Sequence, residues 1–206
     1  YGDHRDLHLS IRRQRQMCIR DRHIHPTLAA KQHCDKHVVK MILETAQLLS
    51  TAHRMLDGDE TRRPSVSGKT ETKYWVMENN NMENTLYRAT MMGHPCAIWV
   101  RETDANYTWA YNLFVGLCDE YTHRYGKIHK TDELLREALY DCPKNIARKG
   151  LTPFPQAMPE DVKHNDSIVA YRQYYLKYKS GFAKWTKRDV PTWYDEVHGT
   201  NACYAS

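Results

Sequence analysis

The chain has 206 residues, 41% of them apolar and 27% charged, with 9 Gly and 8 Pro. That fits one globular domain with a real core and excludes collagen-like, low-complexity and wholly disordered classes. The formal net charge is +5, but three of those five charges fall within residues 1–22, so global charge is a poor footprint of nucleic-acid binding.

Residues 12–22, RRQRQMCIRDR, read like translated adapter sequence at the end of an open reading frame from environmental DNA. Residues 1–22 are therefore expected to be a non-native or disordered segment, and 23–206 a single helical domain. The alternative is a basic arm that binds nucleic acid. Residues 26–56 carry apolar side chains at helical spacing (Val38, Met41, Ile42, Leu48, Leu49, Ala52, Leu56), opened by Pro26, and predict one long helix. Residues 57–70 predict a polar loop, and 74–92 a weaker helix stopped by Gly93, His94 and Pro95. A second long helix is expected over 96–125, closed by Gly126, and a short one over 132–140 behind Thr131 as N-cap. Pro143, Pro153, Pro155 and Pro159 make 141–165 mostly loop. A last helix over 166–185 leads into a basic, proline-containing tail. There is no internal repeat and no convincing strand alternation. The expected fold is all-α, a single-domain helical bundle with long proline-containing loops.

Six cysteines (Cys18, Cys34, Cys96, Cys118, Cys142, Cys203) form no CxxC pair and follow no secretory signal, which predicts free thiols in a reducing cytoplasm. No stretch approaches the roughly 18 uninterrupted apolar residues of a membrane span, so no membrane partner is expected.

The first helix has a polar stripe beside its apolar one, with His37 and Glu44 seven residues apart on one face and Lys40 between them. A carboxylate beside apolar surface and a cation can serve as an acid, a base or an electrostatic stabiliser. The same spacing also describes a solvated Lys40–Glu44 pair of little energetic weight. His33 and His37 could pinch a metal, but no third ligand stands at a diagnostic offset, so no metal and no cofactor is expected. The last helix interleaves Tyr171, Tyr174, Tyr175, Tyr178, Phe182 and Trp185 with Arg172, Lys177, Lys179, Lys184, Lys187 and Arg188. Rings to stack on bases and cations to hold phosphates suit nucleic-acid binding; a plain core face with a wet cationic side is the other reading of the rings. The segment 94–109, with Arg101, Asn106 and Tyr107, reads as a pocket wall.

Read from Asp35, the string DKHVVKMILE resembles the pyrimidine-dimer DNA glycosylases of the endonuclease V type found in phages, where Asp, His and Glu stand at these offsets. HPCAIW at 94–99 and LCDEYTHRYG at 117–126 are loosely similar to that family's histidine and aromatic region, and PTWY at 191–194 matches its C-terminal PTWY. Over 26–194 the chain is also similar, and more closely, to a group of marine-phage proteins, a likeness that implies no activity. The family resemblance implies a small all-α protein in which Glu44 is the catalytic carboxylate and His37 belongs to the DNA-facing pocket. It also implies a nucleophilic N-terminal α-amine that displaces the base through a covalent imine, with strand elimination to follow. Two family arginines are absent, replaced by Leu43 and Gln47, and Tyr1 is not expected to be the native terminus.

The expected function is a DNA glycosylase with possible abasic-site lyase activity on a damaged or modified pyrimidine, in a host-cell cytoplasm. Glu44 and His37 carry the chemistry; Lys40, Arg101, Asn106, Tyr107, Arg172, Tyr175, Lys184, Lys187 and Arg188 hold the DNA. The alternatives are a non-catalytic DNA- or RNA-binding helical protein and a helical metalloenzyme.

Overall fold

The computed structural model describes residues 23–65 and 68–198; the expected non-native or disordered segment 1–22, with Cys18, and Cys203 lie outside the described residues. The described chain is mostly helical, with eight α-helices and one two-stranded antiparallel sheet. The helices are α1 Pro26–Gln32, α2 Asp35–Asp57, α3 Asn80–Thr85, α4 Pro95–Val100, α5 Asp104–Tyr125, α6 Lys130–Leu135, α7 Ser167–Tyr178 and α8 Thr192–His198. Among the described residues, no helix is long and apolar enough to cross a membrane.

The core forms where α2 and α5 cross and α1 lies against α5, burying Val38, Ile42, Leu48 and Leu49 of α2 against Leu113, Phe114 and Leu117 of α5. Gly116 permits that approach, because a β-carbon there would stand 3.1 Å from the Ala30 side chain. Gly126 closes α5 in the left-handed conformation, φ 67°, as expected from its position.

Both long helices of the sequence reading are interrupted, each by a tertiary partner. The first opens at His33 and Cys34, which are extended, because the Arg124 guanidinium of α5 is fully buried and takes the carbonyls of Lys31 and His33 as acceptors. The second opens between α4 and α5, where the Asn106 side chain donates to the Trp99 carbonyl and Thr103 caps α5. Further on, α6 begins at Lys130 and not at residue 132, and the His129 ring caps it by accepting from the Thr131 N–H. The last helix is shorter than expected, ending at Tyr178; a 3₁₀ turn at Ser180–Phe182 then reverses the chain onto α1 and α2.

The largest correction falls on residues 57–92. A β-hairpin stands there, β1 Asp59–Pro64 against β2 Glu71–Val76, in the register Thr61↔Tyr74. It replaces the expected polar loop and the first turns of the expected helix, of which only α3 is helical. The fold is therefore mostly helical with one small hairpin. The hairpin is fastened by Arg54, which is 1% exposed. Its Nε donates to the Tyr87 carbonyl, Nη1 to the Trp75 carbonyl and Glu83 Oε2, and Nη2 to the Glu83 and Leu86 carbonyls. All five donors of a guanidinium are thereby used, which is what burying one requires.

Candidate functional site

Along α2 the side chains of Arg54, Thr51, Glu44 and His37 follow one another, so one helix sets the spacing of everything nearby. Glu44 lies near the middle. Its side chain is 15% exposed, Oε1 stands 3.1 Å from Lys40 Nζ, and Oε2 is enclosed. Lys40 is more open, at 37%. A charge on a mostly desolvated carboxylate acts more strongly than it would in open water. Two turns beyond Glu44 towards the C-terminus, the loop before α4 is pinned to α2 by Thr51, which donates to the Thr90 carbonyl and accepts from the Thr90 N–H.

His37 lies about 10 Å from Glu44 along the axis and turns towards the C-terminal lobe, residues 167–198. Its ring meets Tyr175 edge-on at 5.4 Å and Phe182 at 5.6 Å. Tyr175 is 2% exposed and sits among His37, Trp185, Trp193 and Tyr194, so its ring is packing and not an open platform for a base. Arg172 beside it is half-buried, with its guanidinium carbon 5.7 Å from the Trp193 ring, and burial pushes its pKa down.

The 94–109 segment divides. Asn106 is fully buried: it donates to the Trp99 carbonyl and Thr152 Oγ1 and accepts from the Thr152 N–H. Tyr107, 1% exposed, donates its hydroxyl to the Leu139 carbonyl and sits 2.8 Å from His53 Nε2. Burial lowers the His53 pKa, against the opposing pull of Asp57 and Asp141, so a neutral imidazole occupies the core. Both Asn106 and Tyr107, expected to hold DNA, are buried and bonded to partners inside the protein.

Arg101 differs. Its Nη2 donates to the Met92 carbonyl at 2.8 Å, while Nη1 is enclosed and meets no acceptor among the described residues. Burial disfavours its charge and lowers its pKa. Arg54 and Arg124, both more deeply buried, have every donor satisfied; Arg101 does not.

The tail cations also divide. Arg188 is held by Glu120 through Nε and Nη2, the latter 2.6 Å from Oε1. Glu120 also accepts from Arg124, whose Nη1 reaches Asp35, and Asp35 accepts from the Thr186 N–H and hydroxyl. Burial alone would raise the Glu120 pKa, but Arg188 and Arg124 outweigh it and hold the carboxyl low. Arg188 is thus a clasp between lobe and body, and its charge is committed there. Lys184 and Lys187 remain exposed, and Lys187 adopts φ 56°.

Sequence reasoning missed the two arginine hubs. The i,i+4 pair Glu120 and Arg124 was the one available signal, and it reads on paper as a surface pair. Among the described residues, no group of three or more His, Cys, Asp or Glu side chains is placed to hold a metal ion. Cys34, Cys96 and Cys118 are buried free thiols and Cys142 is half-buried.

No protein-family model, no curated protein and no solved structure matches the chain. The functional reading therefore rests on the residues themselves.

Proposed function

We propose that the protein is a DNA glycosylase acting on a damaged or modified pyrimidine, with Glu44 as its catalytic carboxylate. One observation carries the reading: Glu44 is a mostly desolvated acid, 15% exposed, whose near neighbour is the Lys40 ammonium at 3.1 Å. When the bond from the base nitrogen to the sugar's anomeric carbon breaks, its electron pair leaves with the base and positive charge develops on the sugar. A fixed carboxylate in a partly dry site stabilises that charge without reorganising, an effect typically worth 10²–10³ in rate for one such group. Water or an amine then bonds to the anomeric carbon. Arg101 supports the reading, because a half-buried guanidinium with a nitrogen lacking an acceptor suits a phosphate oxygen. The exposed Lys184 and Lys187 add phosphate contacts at the other end of α2.

The test is base release from ultraviolet-irradiated and from oxidised duplex DNA. Wild type should release a modified pyrimidine, and Glu44→Gln should lower the rate at least about a hundredfold with an unchanged melting temperature and DNA affinity. DNA binding by wild type without release of any base would make the protein a non-catalytic binder, the reading to which an ordinary Lys40–Glu44 surface pair belongs.

A further inference from the structure

We infer that the β-hairpin Asp59–Val76 is an arm that lies in a groove of duplex DNA and grips its phosphates. The inference rests on the proposal that DNA is the substrate, and extends it to a part of the chain with no role in the chemistry.

The hairpin has almost nothing of its own to bury. Every residue of β1 except Thr61 is exposed, and β2 is exposed from Glu71 to Lys73. Its apolar side chains gather at the base, where Trp75 is 5% exposed and Tyr74 is bonded to Glu83. A hairpin that docks on a protein needs an apolar face, and the described residues of this one offer none beyond its root.

What it presents is charged on both faces, with Arg62, Arg63, Lys69 and Lys73 against Asp59, Glu60 and Glu71, a net charge of +1. Directly opposed residues of an antiparallel pair share a face, so Arg62 and Lys73 stand side by side. Like charges so placed repel, and only Lys73 has an acid, Glu60 at 2.7 Å. On the other face, Arg63 lies over the Tyr74 ring at 3.8 Å and Arg88 approaches the same ring at 5.8 Å. Among the described residues, neither Arg62 nor Arg88 has a carboxylate at ion-pair distance. Lys73 is paired with Glu60, and Arg63 stands 3.9 Å from Glu83, so among the described residues Arg62 and Arg88 are the arginines left to complement a polyanion.

The dimensions choose the form of polyanion. Two strands about 4.8 Å apart, with side chains, match the roughly 12 Å major groove, which admits a two-stranded ribbon. Six residues per strand run about 20 Å, the length of roughly six base pairs. The root is rigid: Arg54 ties β2, α3 and the 86–87 segment to α2. Arg54 is ten residues from Glu44 along that helix, or about 15 Å. The arm therefore holds DNA some four base pairs or more from the carboxylate, flanking the lesion and not touching it.

The experiment measures binding to an undamaged duplex two helical turns long, by fluorescence anisotropy across a series of salt concentrations. The proteins are the full chain, the triple variant Arg62→Gln, Lys73→Gln, Arg88→Gln, and its charge-conserving counterpart Arg62→Lys, Lys73→Arg, Arg88→Lys. The neutral variant should bind roughly tenfold or more weakly and lose about 2–3 units of salt slope, while the charge-conserving one keeps the wild-type slope. Both should melt as wild type does, since the three side chains lie outside the Arg54 hub. A neutral variant with the wild-type slope overturns the inference, as does a wild type that ignores duplex DNA or prefers single-stranded RNA through these same cations. A hairpin-dependent slope with no base release by wild type sinks the glycosylase reading and leaves the arm standing. Base release with hairpin-independent binding does the reverse.

Discussion

The sharpest physical prediction concerns acid stability and Glu83. This carboxylate accepts from the Met77 N–H at 3.0 Å, the Tyr74 hydroxyl at 2.6 Å and Arg54 Nη1 at 2.7 Å. Burial alone would raise its pKa, but those three partners outweigh it and lower the pKa from 4.5 to about 2. The folded state therefore holds its proton less readily than the unfolded chain. Stability from Glu83 is present in full above the unfolded value of 4.5 and is lost as pH falls through the window from 4.5 to about 2. The shift corresponds to at most about 3 kcal/mol, and with the side chain 18% exposed, screening brings the expected figure nearer about 2 kcal/mol. Other carboxyls titrate in the same window, Asp35 and Glu120 among them, so the single curve is not diagnostic. The difference between wild type and Glu83→Gln is. Urea unfolding at intervals from pH 7 to pH 2.5 should show wild type ahead by about 2 kcal/mol at neutrality and the two converging in acid. Parallel curves would mean that Glu83 carries no linked proton and that Arg54 is satisfied by backbone carbonyls alone.

Two backbone positions give further tests. A β-carbon on Gly58 would stand 2.6 Å from the Arg54 carbonyl and 3.1 Å from that of Val76, so Gly58→Ala should cost about 2 kcal/mol or more in urea unfolding and speed amide exchange in the hairpin first; an unchanged midpoint would show that the root yields. Lys187 holds a left-handed φ of 56°, so Lys187→Gly should stabilise the protein by about 0.5 kcal/mol, the relief of strain exceeding the added freedom of the unfolded chain. A lower melting temperature would refute it.

The long helices were legible because their apolar residues recur with helical period over many turns. Their interruptions were not, because nothing local causes them. His33 and Cys34 leave the helix to serve a guanidinium some ninety residues away. Asn106 bends the 95–125 segment by reaching the Trp99 carbonyl, and its amide is completed by Thr152. The hairpin was hidden for the opposite reason. DETRRP has no apolar residue but Pro64, so there was no alternation to see, and only the TKYWV run favoured a strand. At the candidate site, Glu44 stands at the boundary between two stripes on α2, a place that spacing alone leaves open to an enclosed or a solvated side chain. The polar residues of 94–109 misled, since an amide or a phenol on a helix looks the same whether its partner is DNA or a buried carbonyl.

The two hubs explain why a chain this short keeps so many buried ions. Burying a charged pair seldom gains stability over a well-packed apolar contact, and breaking one is expensive. Arg54 and Arg124 stand near opposite ends of α2, and each uses all five donors. One fixes the hairpin, the other the α1–α2 corner on which the C-terminal lobe closes through Asp35 and Glu120. Planar guanidinium groups constrain direction as well as distance, which apolar packing does only weakly. With both ends of the helix fixed in this way, Glu44 between them has one position relative to the arm and to the lobe. On the proposed glycosylase reading, a carboxylate that must meet one sugar on a strand held at both flanks needs that arrangement, because an error of about 1 Å at the reacting atoms is enough to forfeit much of the rate.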